Sequence, residues 1–195
     1  WLPHATLNLR TRHLDAAVLG AMRDGTEQIV ILGAGLDSRA YRLTQNWTGG
    51  RVFEVDFPPT QDYKKRKVES VIGETPRNLT YVPIDFTKET LDQVLPRHGY
   101  RPNAKTLITW EGVTMYLPKA AIDGTLEFAA KHSGSGSSIL FDYFDTRLVE
   151  GNPDPQGWKA VAKRFAEWGE PWIFGVPTSG EGNIFQLVAA QDLEV

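Results

Sequence analysis

A doubly wound α/β fold, a mostly parallel sheet flanked by helices, is predicted by three features of this sequence. Short β-branched and apolar runs alternate with longer segments of helical period, the pattern of strands joined by helical crossovers. The run Gln28-Ile-Val-Ile-Leu32 lacks the polar alternation of a half-exposed strand and reads as one covered on both faces. It passes straight into Gly33-Ala-Gly35, at the carboxyl end of a strand, where open α/β sheets hold their ligands.

The first segment, Asn8–Arg23, sets Leu9, Leu14, Val18 and Met22 at near-helical spacing and ends at Asp24-Gly25. Gln28–Leu32 is the first strand and Arg51–Val55 the second, followed by a helix over Thr60–Val71 with Gly73 just beyond it. Leu79–Ile84 reads as a third strand and Lys88–Leu95 as a helix halted by Pro96, whose ring cannot continue it. A fourth strand spans Thr106–Thr109 and runs on into Trp110. Pro118 suits a first helical turn, and that helix extends to Lys131. The small residues Ser133–Ser138 form a turn before a fifth strand, Ile139–Phe144. Gly151-Asn-Pro-Asp-Pro155 is rich in breakers and is a candidate active-site loop. Helices follow over Gly157–Trp168 and Asn183–Gln191, and Leu193-Glu194-Val195 reads as the beginning of a strand. One domain is expected over residues 1–195, with residues 145–191 as a helical cap on the substrate side.

The 195 residues include 21 basic and 24 acidic side chains, a formal net charge of −3. That balance does not mark a nucleic-acid binder or a polybasic membrane binder. At 41% hydrophobic and 23% charged, the composition is that of a soluble globular domain rather than a disordered chain. Cysteine is absent, which excludes disulfides, thiolate metal sites and cysteine nucleophiles and fits a reducing, cytoplasmic compartment. No apolar run approaches the roughly 18 residues of a membrane helix. The four histidines, His4, His13, His98 and His132, lack metal-ligand spacing, so no metal site is expected. Neither a Gly-x-Ser-x-Gly elbow nor a Walker loop occurs.

Chemistry concentrates at the predicted strand ends. Gly33 and Gly35 let the backbone turn tightly and approach a ligand closely, since neither carries a Cβ. The helix start that follows offers N–H groups to an anion, but Ser38 stands where a dinucleotide fingerprint has its third glycine. An ordinary strand–helix turn is the alternative reading. Asp56 closes the second strand 21 residues beyond Gly35, close to the spacing that brings a carboxylate to ribose hydroxyls. Glu54 shares its strand face by the two-residue period, so either acid could reach the sugar. Asp56 is preferred because it stands at the carboxyl end; a solvated acid at a strand tip is the alternative. Asp85 follows the third strand, where a carboxylate can accept from an adenine amino group with Phe86 beside the ring. Gly-x-Gly, Asp and Asp at three successive strand ends point to an adenosyl ligand without a pyrophosphate, a description that S-adenosylmethionine fits.

Four motifs occur in order: Arg10-Thr-Arg-His-Leu-Asp15, Ile31-Leu-Gly-Ala-Gly-Leu-Asp-Ser-Arg-Ala-Tyr-Arg-Leu43, Phe53-Glu-Val-Asp-Phe-Pro58 and Trp110-Glu-Gly-Val-Thr-Met-Tyr-Leu117. Through them, over Leu9–Tyr143, the chain resembles the leucine carboxyl methyltransferase-like family of S-adenosylmethionine-dependent methyltransferases, its bacterial branch most closely. The resemblance implies a Rossmann-like methyltransferase sheet and S-adenosylmethionine as cofactor. It implies that Arg12 binds the cofactor carboxylate and that Gly33, with Gly35 in the same loop, lies against the methionine portion. By the same resemblance Asp56 holds the ribose, Asp85 and Phe86 hold the adenine, and Glu111 completes the cradle. A guanidinium suits a carboxylate because it presents two parallel donors; without the motif, Arg12 reads as a helix-surface arginine. A buried Glu111 needs a partner, either the cationic sulfonium or amino group of the ligand or an arginine such as Arg39 or Arg42. The family's chains are longer, with an amino-terminal cover and a capping region near the carboxyl end, so this chain is expected to be truncated at both ends.

The implied reaction is methyl transfer from the sulfonium to an oxygen, with a carboxylate of a small molecule or peptide as the expected acceptor. A carboxylate of pKa ~4 is ionised at neutral pH and needs no general base. The protein then contributes alignment and the exclusion of water, and no catalytic residue is assigned. Two rivals stay open: a cofactor-binding module without an acceptor pocket, and a nicotinamide-dependent oxidoreductase. The second would share the glycines and Asp56 but is opposed by Ser38, Asp85 and Glu111. Lys64-Lys-Arg-Lys67 reads as a solvated helix face. Trp158, Phe165, Trp168, Trp172 and Phe174 read as packing of the cap, with an apolar substrate pocket as the alternative. Tyr116 and Tyr143 follow strand segments, but no spacing makes either a catalyst.

Overall fold

The computed structural model describes residues 2–86, 88–151, 157–191 and 193. Five strands, β1 (Gln28–Leu32), β2 (Arg51–Asp56), β3 (Leu79–Pro83), β4 (Thr106–Trp110) and β5 (Ser138–Phe141), form one parallel sheet in the order β3-β2-β1-β4-β5. The chain starts at the middle strand, winds out to β3, and returns to the other side of β1 for β4 and β5. The order therefore reverses between β1 and β4, the switch point at which such sheets hold ligands. Every residue of β1 and β4 is buried, as coverage of both faces requires. The one amide among them, Gln28, is satisfied: it donates to the Arg101 carbonyl and the Thr106 hydroxyl and accepts from the Arg101 N–H.

Helices α1 (Leu2–Arg23), α2 (Arg39–Arg42), α3 (Pro58–Val71), α4 (Leu91–Val94), α5 (Lys119–Lys131), α6 (Thr146–Glu150), α7 (Trp158–Glu167) and α8 (Ile184–Ala189), with 3₁₀ turns at Pro96–His98 and Thr114–Tyr116, complete the described elements. The chain divides into two compact units. The first, Trp1–Thr109 with His132–Leu140, centres on Val18 of α1, Ile29 and Ile31 of β1, Tyr41 of α2, Val52 of β2, Val68 of α3 and Leu107 of β4. The second, Trp110–Lys131 with Phe141–Val195, is tied internally by a bridge between Asp145 and Val176 and by the Ile173 N–H donating to the Met115 carbonyl at 2.8 Å.

Register aligns the strand ends of the first unit. Leu32 lies opposite Val55, and Asp56 opposite Pro83. The ladder continues past the strands, with the Ala34 N–H donating to Val55 at 3.1 Å and the Ile84 N–H to Asp56 at 2.9 Å. Gly33, Asp56 and Asp85 thus stand along one edge of the sheet.

Several elements differ from expectation. The helix anticipated over Lys88–Leu95 is reduced to the four residues of α4, because the Lys88 and Glu89 N–H groups turn back onto the Asp85 carbonyl. A 3₁₀ turn at Pro96–His98 follows. The fifth strand stops at Phe141 rather than Phe144, since Asp142 leaves the ladder to bind Gly112 and Thr114. Helix α6 was not expected; the Asp145 carboxylate caps it by accepting from the Arg147 N–H. Most of the candidate loop, residues 152–155, lies outside the described residues, as do Glu194 and Val195 of the expected final strand. Among the described residues no helix is long and apolar enough to cross a membrane.

Candidate functional site

Gly33 and Gly35 both adopt left-handed backbone, with φ of 63° and 42°, where a Cβ crowds the following carbonyl. A Cβ built on Gly35 meets nothing nearer than the Gly33 carbonyl oxygen at 3.8 Å. Glycine is therefore required here by conformation, and the backbone faces open space that a side chain would fill. Asp56, the last residue of β2, holds this turn: its Oδ2 accepts the Gly35 N–H at 2.5 Å and its Oδ1 the Phe57 N–H at 2.7 Å. Burial pushes the Asp56 carboxyl above the usual range, while those two donors and Lys64 pull it down. Each of its oxygens retains a lone pair for a further donor. A backbone that allows close approach, beside a carboxylate able to take hydroxyl donors, fits the sugar end of an adenosyl group.

Glu54, the other acid of β2, is engaged differently. It is fully buried, and its Oε2 lies 2.7 Å from the Lys64 Nζ, a charge contact without hydrogen-bond alignment. Burial pushes the Glu54 carboxyl up to about 7, against the pull of Lys64. The Lys64 ammonium also lies 5.6 Å from the centre of the Tyr41 ring. The expectation that Lys64 belongs to a solvated face is therefore corrected: Lys64 is 3% exposed because Glu54 supplies its counter-charge, while Arg66 and Lys67 face solvent.

Asp85 lies on the same edge as Asp56, with Lys88 at 2.8 Å and half-buried Phe86 beside it in sequence. Arg12 is exposed on α1 and has no ion-pair partner among the described residues. Three residues on, Asp15 accepts from Arg39 Nε at 2.9 Å and pairs with Arg42 Nη1 at 2.9 Å. Arg39 also reaches Asp37 Oδ2 at 2.6 Å. Within the first unit, Asp15 thus engages both Arg39 and Arg42, and Asp37 engages Arg39. Asp15, Asp37 and Arg39 lie inside the four motifs, yet sequence reasoning gave the two acids no role and weighed Arg39 only as a partner of Glu111. A nearly buried arginine starting a four-residue helix is visible only once folded.

The first unit brings together Gly33, Gly35, Asp56, Asp85 and Phe86, and carries Arg12 on its first helix. Glu111 belongs to the second unit, where the adjoining Gly112, also left-handed at φ 70°, donates its N–H to Asp142 Oδ1 at 2.6 Å. A cleft of about 510 Å³ in that unit is lined by Gly112, Tyr116, Gly169, Glu170, Pro171 and Ile173. Burial pushes the Tyr116 phenol up. The late aromatics pack on one another around Trp172, with ring centres 4.6 Å away at Phe144, 5.5 Å at Phe165 and 6.2 Å at Trp158. A larger cleft in the first unit, about 1460 Å³, opens at the amino ends of β2 and β3 beside Arg51 and Asn78. It extends from there along α2 to Arg42 and Ser38, and none of Arg12, Gly33, Gly35, Asp56, Asp85 and Phe86 lines it.

Residues 3–130 match the leucine carboxyl methyltransferase family. A Bacillus subtilis protein named as an S-adenosyl-L-methionine-dependent methyltransferase is 36% identical over 147 residues, 75% of this chain and 48% of that protein. A similarly named protein of Mycobacterium avium is 34% identical over 168 residues, 86% of this chain and 52% of its own. The chain spans about half the length of the curated relatives it matches. Among solved structures, a magnesium protoporphyrin IX methyltransferase from Synechocystis with bound SAH shares the fold with a TM-score of 0.54 at 13% identity, over 93% of this chain and 72% of that one.

Proposed function

The chain belongs to the leucine carboxyl methyltransferase family, and from that premise we propose that it binds S-adenosylmethionine at the carboxyl ends of β1, β2 and β3 and transfers the methyl group to an acceptor oxygen. The observation that carries this reading is the Asp56 carboxylate, held by the Gly35 N–H beside a turn whose backbone faces open space. Asp56 takes the ribose hydroxyls, Gly33 and Gly35 lie against the methionine portion, and Asp85 and Phe86 receive the adenine. Arg12 binds the amino-acid carboxylate. Bound there, the cofactor supplies an electrophilic methyl carbon. The acceptor is a carboxylate of a small molecule or peptide, already ionised at neutral pH, so these residues have only to hold the partners in line and exclude water. A cysteine-free chain suits work in the reducing cytoplasm.

Calorimetric titration with S-adenosylhomocysteine, with NADH as comparator, tests the reading. Binding of the first ligand alone, lost in Asp56→Ala, is the expected result; binding of NADH instead would support the oxidoreductase. A panel of carboxylic acids with labelled cofactor then separates the enzyme, which forms methyl esters, from a binding module, which does not.

A further inference from the structure

Resting on that reading, we infer that Asp15 and Arg39 are positioning residues for the cofactor's amino-acid carboxylate, acting through Arg12. Arg39 is 4% exposed, and its guanidinium forks between two elements. Nε donates to Asp15 Oδ1 on α1 at 2.9 Å, and Nη1 donates to Asp37 Oδ2 at 2.6 Å. Asp37 also accepts the Arg39 backbone N–H at 2.7 Å, and Asp15 takes Arg42 through its other oxygen at 2.9 Å.

Asp15 stands three residues after Arg12, less than one helical turn away on a neighbouring stripe of α1. Asp37 stands two residues after Gly35. One nearly buried guanidinium therefore ties the turn of α1 that carries Arg12 to the loop that carries Gly33 and Gly35. Burial alone would raise the Asp15 carboxyl, but hydrogen bonds from Arg42 and Arg39 hold it below the usual range, so the tie is charged at neutral pH. Desolvating such ions offsets much of their attraction, and fixing register is the best-attested use of a buried charge pair. Arg12 needs that service, because it is exposed and no side chain of the described residues pairs with it. Two parallel donors meet a carboxylate only if the helix bearing them is correctly placed.

The test compares S-adenosylhomocysteine with 5′-methylthioadenosine, which keeps the adenosine and the sulfur but has no amino-acid carboxylate. In Asp15→Asn and Arg39→Lys, affinity for S-adenosylhomocysteine should fall by about tenfold or more, the equivalent of one charge-assisted hydrogen bond. Affinity for methylthioadenosine should stay unchanged. Arg12→Ala should show the same selective loss, and adding Asp15→Asn to it should cost little more, since coupled residues are not additive. Equal loss of both ligands would reduce the pair to a structural role and overturn the inference, as would unchanged S-adenosylhomocysteine binding. Asp15 is partly exposed, so Asp15→Asn decides the matter if Arg39→Lys fails to fold. Wild-type protein that binds neither ligand refutes the cofactor reading and this inference with it; wild-type binding that survives Asp15→Asn refutes the inference alone.

Discussion

Lys64→Met should destabilise the protein by an amount that grows with pH, because the residue's partner titrates in the working range. Glu54 has an ordinary value of 4.5 and is pushed up to about 7 by burial. That gap corresponds to ~3 kcal/mol, at ~1.4 kcal/mol for each pH unit. Since the folded value lies above the unfolded one, the contribution of Glu54 to stability is complete below pH 4.5 and is lost as pH rises through 7. Lys64, 2.7 Å away, is what stops the value from rising further. Without it the variant keeps its proton on Glu54 above pH 7, where the wild type has released it. Over that interval the variant loses a further ~1.4 kcal/mol per pH unit relative to the wild type. The penalty at pH ~9 should therefore exceed that at pH ~6 by ~2–3 kcal/mol, reaching the ~3–5 kcal/mol typical of a broken buried pair. Urea unfolding followed by tryptophan fluorescence at the two pH values measures it. Lys67→Met, on the exposed side of the same basic run, should change stability by no more than ~0.5 kcal/mol at either pH. A Lys64→Met penalty equal at both pH values would refute the charge coupling.

Three further substitutions have expected costs. Gly35→Ala should lose ~1–2 kcal/mol in thermal or urea unfolding, because alanine must adopt φ of 42°, and its methyl would project into the space proposed for the cofactor. S-adenosylhomocysteine affinity should fall with it. Asp142→Ala leaves the Gly112 N–H without its acceptor and should lower stability by ~1–3 kcal/mol, read as a drop in Tm. Gly50→Ala would set a Cβ 2.3 Å from two Trp47 ring atoms and 2.6 Å from the Glu27 carbonyl. Overpacking of this kind costs ~1–3 kcal/mol, and the near-ultraviolet circular dichroism of Trp47 should change.

The parts of the site that the sequence reveals are those where local chemistry and strand order agree. Gln28–Leu32 and the ends at Gly33, Asp56 and Asp85 are marked by apolar runs that stop at residues strands avoid, and parallel pairing aligns them. What the sequence hides depends on partners far along the chain. Lys64 stands in a run of four cations, and nothing local separates it from Lys65, Arg66 and Lys67; only Glu54, ten residues earlier on β2, takes it inside. Period-two alternation puts Glu54 and Asp56 on one face but does not say that α3 covers the first and leaves the second half-exposed. The Asp15–Arg39 contact spans 24 residues and joins two motifs that were legible separately. Likewise, the early end of β5 follows from Asp142 binding Gly112, 30 residues away, which no strand propensity records.

One arrangement recurs at both glycine turns. Asp56 at the end of β2 accepts the N–H of Gly35 beyond β1, and Asp142 beyond β5 accepts the N–H of Gly112 beyond β4. In each case the acid comes from the strand neighbouring the one that carries the glycine. Both glycines have positive φ, so a turn made of residues with no side chain is fixed through its backbone by a carboxylate from next door. The device has an electrostatic consequence at Asp56. Burial disfavours its charge more strongly than the two backbone donors favour it, and the carboxyl sits above its ordinary range. Further donors would stabilise the ionised form, and sugar hydroxyls are donors that bring no charge of their own. In the proposed function, the carboxylate that shapes the glycine turn is therefore also under-supplied with hydrogen bonds until a ribose arrives. On that proposal, the same residue links the conformation of the loop to recognition of the ligand.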